Sequence, residues 1–366
     1  MTLEEKVRER LGGVRDPELH RPLAELGMLG DISVENGIAR IGVKLTVQGC
    51  PLQDRIDGDV RSALADLPEI RDIRIDMTVM SKEERRSLTQ MFRPVRESSV
   101  TKKDSSVRVL IVGSGKGGVG KSTTAVNLAA ALERAGRRVG VLDADVYGFS
   151  VPRMIGAKMA PVVLSEDMIL PVDVNGVKVI SMGMLVGEDT PVMWRGPMLT
   201  KLIEQFLVDV VWGPIDYLVV DAPPGTGDVA ITLAQRLHEG RVLLVTTPQA
   251  AASKVAVRVA EMSRKVGQQV VGVVENMSYF RCPHCGEKTA IFGEGGGAGL
   301  AASLGIPLLG SVPIEGDVRS GGDEGAPAVW AAPESEAAQV FRAIADALGD
   351  DSLWPRSLEP SVSDRL

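Results

Sequence analysis

The chain has 366 residues, 24% of them charged and 44% hydrophobic, with a formal net charge of -7. That length suits two or three domains, and the acidic balance argues against a broad nucleic-acid-binding face. No run of about 18 uninterrupted apolar residues exists to span a membrane. Residues 1–13 lack the apolar centre of a signal peptide, and three cysteines are too few for a disulfide framework, which points to a reducing cytoplasm.

In chain order, residues 1–92 read as a small α+β domain. Residues 3–11 suggest a helix stopped by Gly12-Gly13. Residues 30–34 and 38–46 read as strands around Glu35-Asn36-Gly37, an Asn-Gly hairpin signal. Residues 51–67 suggest a second helix, and 70–77 a half-buried strand. Cys50, in Gly49-Cys50-Pro51, precedes that helix, where the helix field would stabilise a thiolate. A small buried turn residue is the alternative reading. Residues 93–106, with Pro94, several serines and Lys102-Lys103, form a linker candidate.

From Val107 onward strand-like and helix-like runs alternate. This predicts an α/β domain, with a mostly parallel sheet covered by helices on both faces. Strands are expected at 107–112, 138–142, 177–181, 216–220, 241–246, 270–275 and 307–312. Helices are expected at 123–135, 198–211, 230–237, 250–266 and 334–348. The domain ends near 349, and residues 350–366 are expected to be disordered. Residues 293–299 are glycine-rich and expected to be mobile.

The first strand runs into Gly115-Lys116-Gly117-Gly118-Val119-Gly120-Lys121-Ser122, which fits the phosphate-loop pattern between a strand and a helix. Its glycines let backbone N–H groups turn toward an anion, and the helix start adds favourable charge. Lys121 would reach the β- and γ-phosphates, and Ser122 would hold Mg. Lys116 is a second lysine inside the loop, read either as a solvent-facing charge or as a phosphate contact. Asp221 ends an apolar strand where ligands of parallel sheets gather, placed to hold Mg. Residues 222–228, Ala-Pro-Pro-Gly-Thr-Gly-Asp, form a rigid loop able to sense a γ-phosphate. Asp143 and Asp145 end another strand and could serve Mg and the attacking water.

Cys282-Pro283-His284-Cys285-Gly286 is a C-x-x-C knuckle able to grip one metal or one cluster edge. A closed four-thiolate site needs two more ligands, which a symmetric dimer would supply. A redox pair and a zinc knuckle that includes His284 are the competing readings.

Gly115 to Thr123 resembles the deviant Walker A loop of the ParA/MinD ATPases. The resemblance implies that Gly115 to Thr123 bind ATP and that Lys116 contacts nucleotide across a dimer. It also implies that Asp145 orients the water and that Asp143 is associated with Mg. Residues 143–148, 194–198 (Trp-Arg-Gly-Pro-Met), 221–228, 275–278 (Glu-Asn-Met-Ser) and 282–286 are similar to the Mrp/ApbC iron–sulfur cluster carriers, across 107–348. Residues 14–77, with Asp16-Pro17-Glu18 and Gly49-Cys50-Pro51, resemble the SufT-like domain. The carrier resemblance implies a homodimer with a [4Fe–4S] cluster bridging two subunits through Cys282 and Cys285. It also implies contact of Asn276 with adenine, exchange with apo iron–sulfur proteins and cluster-assembly scaffolds, and neither nucleic acid nor membrane as partner. Phe149 departs from the family, which usually has proline there. The four-cysteine N-terminal motif of some eukaryotic relatives is missing. Two alternatives stay open: a MinD- or ParA-like positioning ATPase, and a zinc-stabilised dimeric scaffold. Against the first, residues 350–355 are acidic and broken by proline, unlike a basic amphipathic membrane helix.

Overall fold

The computed structural model describes all residues except 1, 18, 20, 47–51, 86, 89–90, 92–99, 101–104, 146–147, 166–167, 187–195, 238, 283 and 355–366. Cys50, Trp194-Arg195 and most of the linker candidate therefore lie outside the described residues. The chain divides into two compact units, residues 1–97 with 162–170, and residues 98–161 with 171–366.

In the first unit the helix Leu3–Leu11 starts at a reciprocal cap, Thr2 with Glu5, and buries Val7 and Leu11. Strands β1 (Leu29–Glu35) and β2 (Ile38–Leu45) pair antiparallel across Asn36 and Gly37. Both turn residues have positive φ, 50° and 80°, which is why Asn-Gly occupies the turn. Helix Gln53–Leu64 buries Ile56, Val60 and Leu64 and leads to β3 (Asp72–Val79), parallel to β2.

The second unit is built on an eight-stranded sheet. Its strands are β4 (Arg108–Ser114) and β5 (Val139–Asp143), then β8 (Val172–Val174), β9 (Val177–Ser181), β10 (Tyr217–Asp221), β11 (Arg241–Thr246), β12 (Gln269–Glu275) and β15 (Leu308–Ser311). Strands β6 (Val162–Ser165) and β7 (Met168–Leu170) form a hairpin that belongs to the first unit. The remaining pair, β13 (Phe280–Arg281) and β14 (Lys288–Thr289), flanks Cys282 and Cys285. The sheet order is β15-β12-β11-β4-β10-β5-β9-β8. Neighbours run parallel except β8, which returns antiparallel to β9. Every residue of β5, β10 and β11 is buried, so both faces are covered. This explains why those segments read as unbroken apolar runs rather than alternating ones. Helix Lys121–Arg134, rich in alanine, buries ten residues against β4, β5, β10 and helix Glu336–Leu348. Helices Gly196–Asp209, Asp228–Arg236 and Ala250–Lys265 complete the cover.

Two stretches hold structure that the sequence did not announce. The glycine-rich stretch 293–299 leads into a helix: Gly295, at φ 76°, precedes Gly296–Leu304. Small residues let that helix approach the sheet closely, and a Cβ at Gly297 would fall 2.6 Å from Glu275 Cβ. The start of the tail is also ordered, with a helical turn at Asp351–Leu353. Trp354 packs edge-on against Tyr217 at 5.9 Å and donates its indole N–H to the Leu348 carbonyl at 2.8 Å. Arg108 lies beside both rings and donates to Tyr217 Oη and to the Gly349 carbonyl.

Candidate functional site

The parallel register brings distant residues to one edge of the sheet. Asp221 lies beside Val112 of β4 and beside Asp143 of β5, all at the carboxyl ends. There β4 gives way to the phosphate loop, and helix Lys121–Arg134 starts at Gly120 without a side-chain cap. Its first-turn N–H groups thus face the loop, the arrangement that binds phosphate. Gly118 and Gly120 have φ of 77° and 83°. A Cβ at Gly115 would fall 2.4 Å from Ala256 N, so the first glycine is required by close packing.

Lys121 is 7% exposed and sits among carboxylates. Its Nζ donates to Asp221 Oδ1 at 2.5 Å and lies 3.5 Å from Asp145 Oδ2 and from Ser122 Oγ. Ser122 Oγ donates to Asp221 Oδ2 at 2.6 Å. Asp143 is fully buried and accepts from Ser181 Oγ at 3.0 Å and from the N–H groups of Asp145 and Val151. Burial, and then the charge of Asp221 alongside, push the Asp143 carboxyl up to about 7, against the pull of Ser181. Burial also raises Asp221, while the Lys121 ammonium opposes it. Ser122, Asp221 and Asp143 offer hydroxyl and carboxylate oxygens, hard donors of the kind that could hold Mg.

Lys116 is half-buried, its Nζ donating to Gln249 Oε1 at 3.0 Å within the same chain. Thr123 lies in the first helical turn, half-buried, and its carbonyl accepts from Asn127. Asn276 follows β12 and reaches the loop, its Nδ2 donating to the Val119 carbonyl at 3.0 Å. A Cβ at Gly120 would fall 1.9 Å from that same nitrogen. The 222–228 loop is tied down as Gly225 N donates to the Ser114 carbonyl at 2.9 Å. The ring of Phe149 covers Gly183, where no Cβ would fit.

The cysteines stand on a different foundation. Strands β13 (Phe280–Arg281) and β14 (Lys288–Thr289) form a two-pair antiparallel ladder around the turn. Cys282 N donates to the Glu287 carbonyl and Gly286 N to the Cys282 carbonyl, both at 2.9 Å, with Gly286 at φ 74°. Cys282 is half-buried and Cys285 exposed, and both are free thiols. The Cys282 thiol is held below its ordinary range by N–H groups of Cys285 and His284 and by the Cys285 side chain. Among the described residues no group of three or more His, Cys, Asp or Glu is arranged to hold a metal. The hairpin is fastened to Glu336, whose carboxylate accepts from Tyr279 Oη at 2.8 Å, Arg281 Nε at 2.8 Å and Lys288 Nζ at 3.1 Å. Burial pushes the Glu336 carboxyl up, but those donors outweigh it and hold it at about 2.

The fold thus gathers Lys121, Ser122, Asp143, Asp145 and Asp221 at the carboxyl ends of the central strands, with Asn276 bonded to the loop, and leaves Cys282 and Cys285 on a separate two-stranded hairpin. Residue-by-residue reading missed Ser181, Gln249 and Glu336, because each acts by position and none belongs to a recognisable spacing.

A parallel sheet with this loop at its carboxyl edge defines a P-loop NTPase, an enzyme of nucleoside triphosphate hydrolysis. A family model described as NUBPL iron-transfer P-loop NTPase (ParA) matches residues 106–349, and the chain belongs to that family. A second model, described as iron–sulfur cluster assembly protein, matches residues 4–77. The iron–sulfur cluster carrier protein of Mycobacterium leprae is 45% identical over 94% of this chain and 92% of its own length. The protein of that name from Deinococcus radiodurans is 47% identical over 92% of each chain. Among solved structures, a nucleotide-binding protein from Archaeoglobus fulgidus in complex with ADP is 36% identical with a TM-score of 0.53, covering 63% of this chain and 91% of its own. Among the described residues no helix is long and apolar enough to cross a membrane.

Proposed function

We propose that this chain is an ATP-hydrolysing iron–sulfur cluster carrier that holds a [4Fe–4S] cluster between two copies of itself and delivers it to apo-proteins. The observation that carries the reading is the pair Cys282 and Cys285 on an exposed turn, in a chain whose full-length relatives are named carriers. Each copy offers two thiols at chelating spacing. A four-thiolate site therefore most simply draws two from each of two copies, on a two-fold axis. The lowered Cys282 thiol favours the thiolate that binds iron. Delivery is ligand exchange: each acceptor thiolate replaces one carrier thiolate on iron, and the freed cysteine takes up a proton. The domain division at about residue 92 and the role of Cys50 as a receiving or delivering thiol belong to the same proposal.

At the other site, the 115–123 loop would cradle the ATP phosphates, with Asn276 near the adenine. Lys121 and Lys116 would neutralise charge gathering on the phosphoryl oxygens, Lys116 after leaving Gln249 for the partner's nucleotide. Ser122, Asp221 and Asp143 would hold Mg, which supplies further charge neutralisation. Asp145 would accept a hydrogen bond from the attacking water and aim it at the γ-phosphorus. As the water oxygen bonds to the γ-phosphorus, the bond from that phosphorus to the bridging oxygen breaks, ADP leaves with the bond's electron pair, and the water's protons pass to the phosphate oxygens and solvent.

The test is to reconstitute the full chain with iron and sulfide without oxygen, then measure iron and sulfide per dimer, the visible spectrum and transfer to an apo-enzyme. One transferable cluster per dimer supports the reading. A site that fills with zinc alone, or a cluster that never leaves, overturns it in favour of a scaffold.

A further inference from the structure

The cysteine hairpin is one part of a longer excursion, residues 276–297, that leaves the end of β12 and returns at helix Gly296–Leu304. Both feet of the excursion are tied to one buried carboxylate. Glu275, 6% exposed, accepts from Ser278 Oγ at 2.9 Å through Oε1 and from Gly297 N through Oε2. The close approach of Gly297 depends on its lacking a side chain. The next residue, Asn276, holds the Val119 carbonyl of the phosphate loop. Between them and the cysteines the backbone has little freedom. Met277 is fixed in the left-handed region at φ 56°, Ser278 N donates to the Val312 carbonyl at 2.9 Å, and Ile314 N donates to the Tyr279 carbonyl at 2.7 Å. Five residues separate Asn276 from Cys282. The far side of the excursion is fastened again through Glu336.

From this arrangement we infer that Glu275 is a positioning residue that makes the excursion one rigid lever, so that displacement of the phosphate loop at Val119 moves Cys282 and Cys285. The inference rests on the nucleotide and cluster roles proposed above and adds the connection between them. The buried carboxylate is the acceptor of Gly297 N, which has no water as an alternative, while the Ser278 hydroxyl shares its one proton between Glu275 Oε1 and the Glu275 carbonyl, each at 2.9 Å. Without that carboxylate Gly297 N loses its acceptor and the two feet can part. A glutamine would keep the tie, its oxygen accepting from Gly297 N and its amide donating to Ser278 Oγ.

The experiment follows alkylation of Cys282 and Cys285 separately, by peptide mass analysis, in the cluster-free full chain with and without a non-hydrolysable ATP analogue and Mg. In the parent the analogue should change the alkylation rate of these cysteines by roughly fivefold, the lower end of ordinary coupling between sites. Glu275→Ala should bring that ratio to within about twofold of one while binding the analogue as the parent does, and Glu275→Gln should restore it. Ser278→Ala, which frees one foot, should give an intermediate ratio, and it carries the test if Glu275→Ala does not fold. A Glu275→Ala or Ser278→Ala protein that keeps the full parental response overturns the inference. So does a parent that binds the analogue and loads a cluster yet shows no change at the cysteines. A parent that takes up neither nucleotide nor cluster overturns instead the function on which the inference stands.

Discussion

Lys121 is 7% exposed, and its ammonium touches Asp221, Asp145 and Ser122; Cys285 is exposed, on a ladder of two residue pairs. The nucleotide side chains hang from the centre of an eight-stranded sheet, whereas the cysteines hang from a turn braced by one surface carboxylate. The contrast follows from the two chemistries. Phosphoryl transfer is accelerated by charges fixed in advance in a dry site, which needs burial on every side. Passing a cluster needs both thiols within reach of another protein's thiols, which burial would prevent.

The sharpest way to break the comparison is to damage one side and watch the other. Lys121→Ala should lower ATP hydrolysis by about a thousandfold or more, since it removes a charge from the transferring phosphoryl group, while reconstitution should still load a cluster. Steady-state phosphate release and the visible spectrum measure the two effects. The converse is Cys282→Ala or Cys285→Ala. Each should remove the cluster entirely, because two ligands vanish from a symmetric site, and should leave phosphate release largely intact.

Smaller effects sharpen the contrast. Gly120→Ala places a methyl on Asn276 Nδ2 and forces alanine to a φ of 83°, so it should cost about 1–3 kcal/mol of stability and raise KM for ATP. A melting curve and a substrate titration would show both. Asp143 should give the buried site a pH signature. Its carboxyl rises from 3.8 in the unfolded chain to about 7 in the fold, so the fold favours its protonated form. That contribution is fully present below the unfolded value and is lost as pH rises through about 7. Tm should therefore fall over that window more in the parent than in Asp143→Asn; equal slopes would contradict the assignment. Glu336 stays ionised throughout, since its donors hold it at about 2. Glu336→Gln breaks a mostly exposed network, so amide exchange at 280–289 should quicken by about fivefold at most, an effect that high salt in the parent should mimic.

The central sheet was legible because parallel strands buried on both faces leave unbroken apolar runs, and the phosphate loop because its glycines and lysines keep a fixed spacing. Strand and helix ends fell within a few residues of the expected ones. Strands β6, β7 and β8 were not foreseen: they are three or four residues long, too short for a period to show. Helix Gly296–Leu304 was hidden by its glycines, whose low propensity is overridden by packing against Glu275. The tail's Trp354 was read from composition, but its partners Tyr217 and Arg108 lie more than a hundred residues away. Ser181 and Glu336 were invisible for the same reason, and Glu275 was legible only as part of the 275–278 segment, since what each does depends on a neighbour brought in by the fold.

The central place of β4 has a consequence for how the protein is made. Its partners are β10, which begins at Tyr217, and β11, which ends at Thr246. A ribosome that has just produced the phosphate loop has made neither of the strands that will flank it. Nearly a hundred further residues must emerge before the loop acquires Asp221 on one side, and more still before Asn276 arrives to brace it. The nascent chain meanwhile carries an apolar strand with both edges unpaired, the kind of segment that aggregates or recruits a chaperone. Pairings this remote also make for slow folding. The nucleotide pocket, assembled from segments this far apart, is thus among the last parts to take shape.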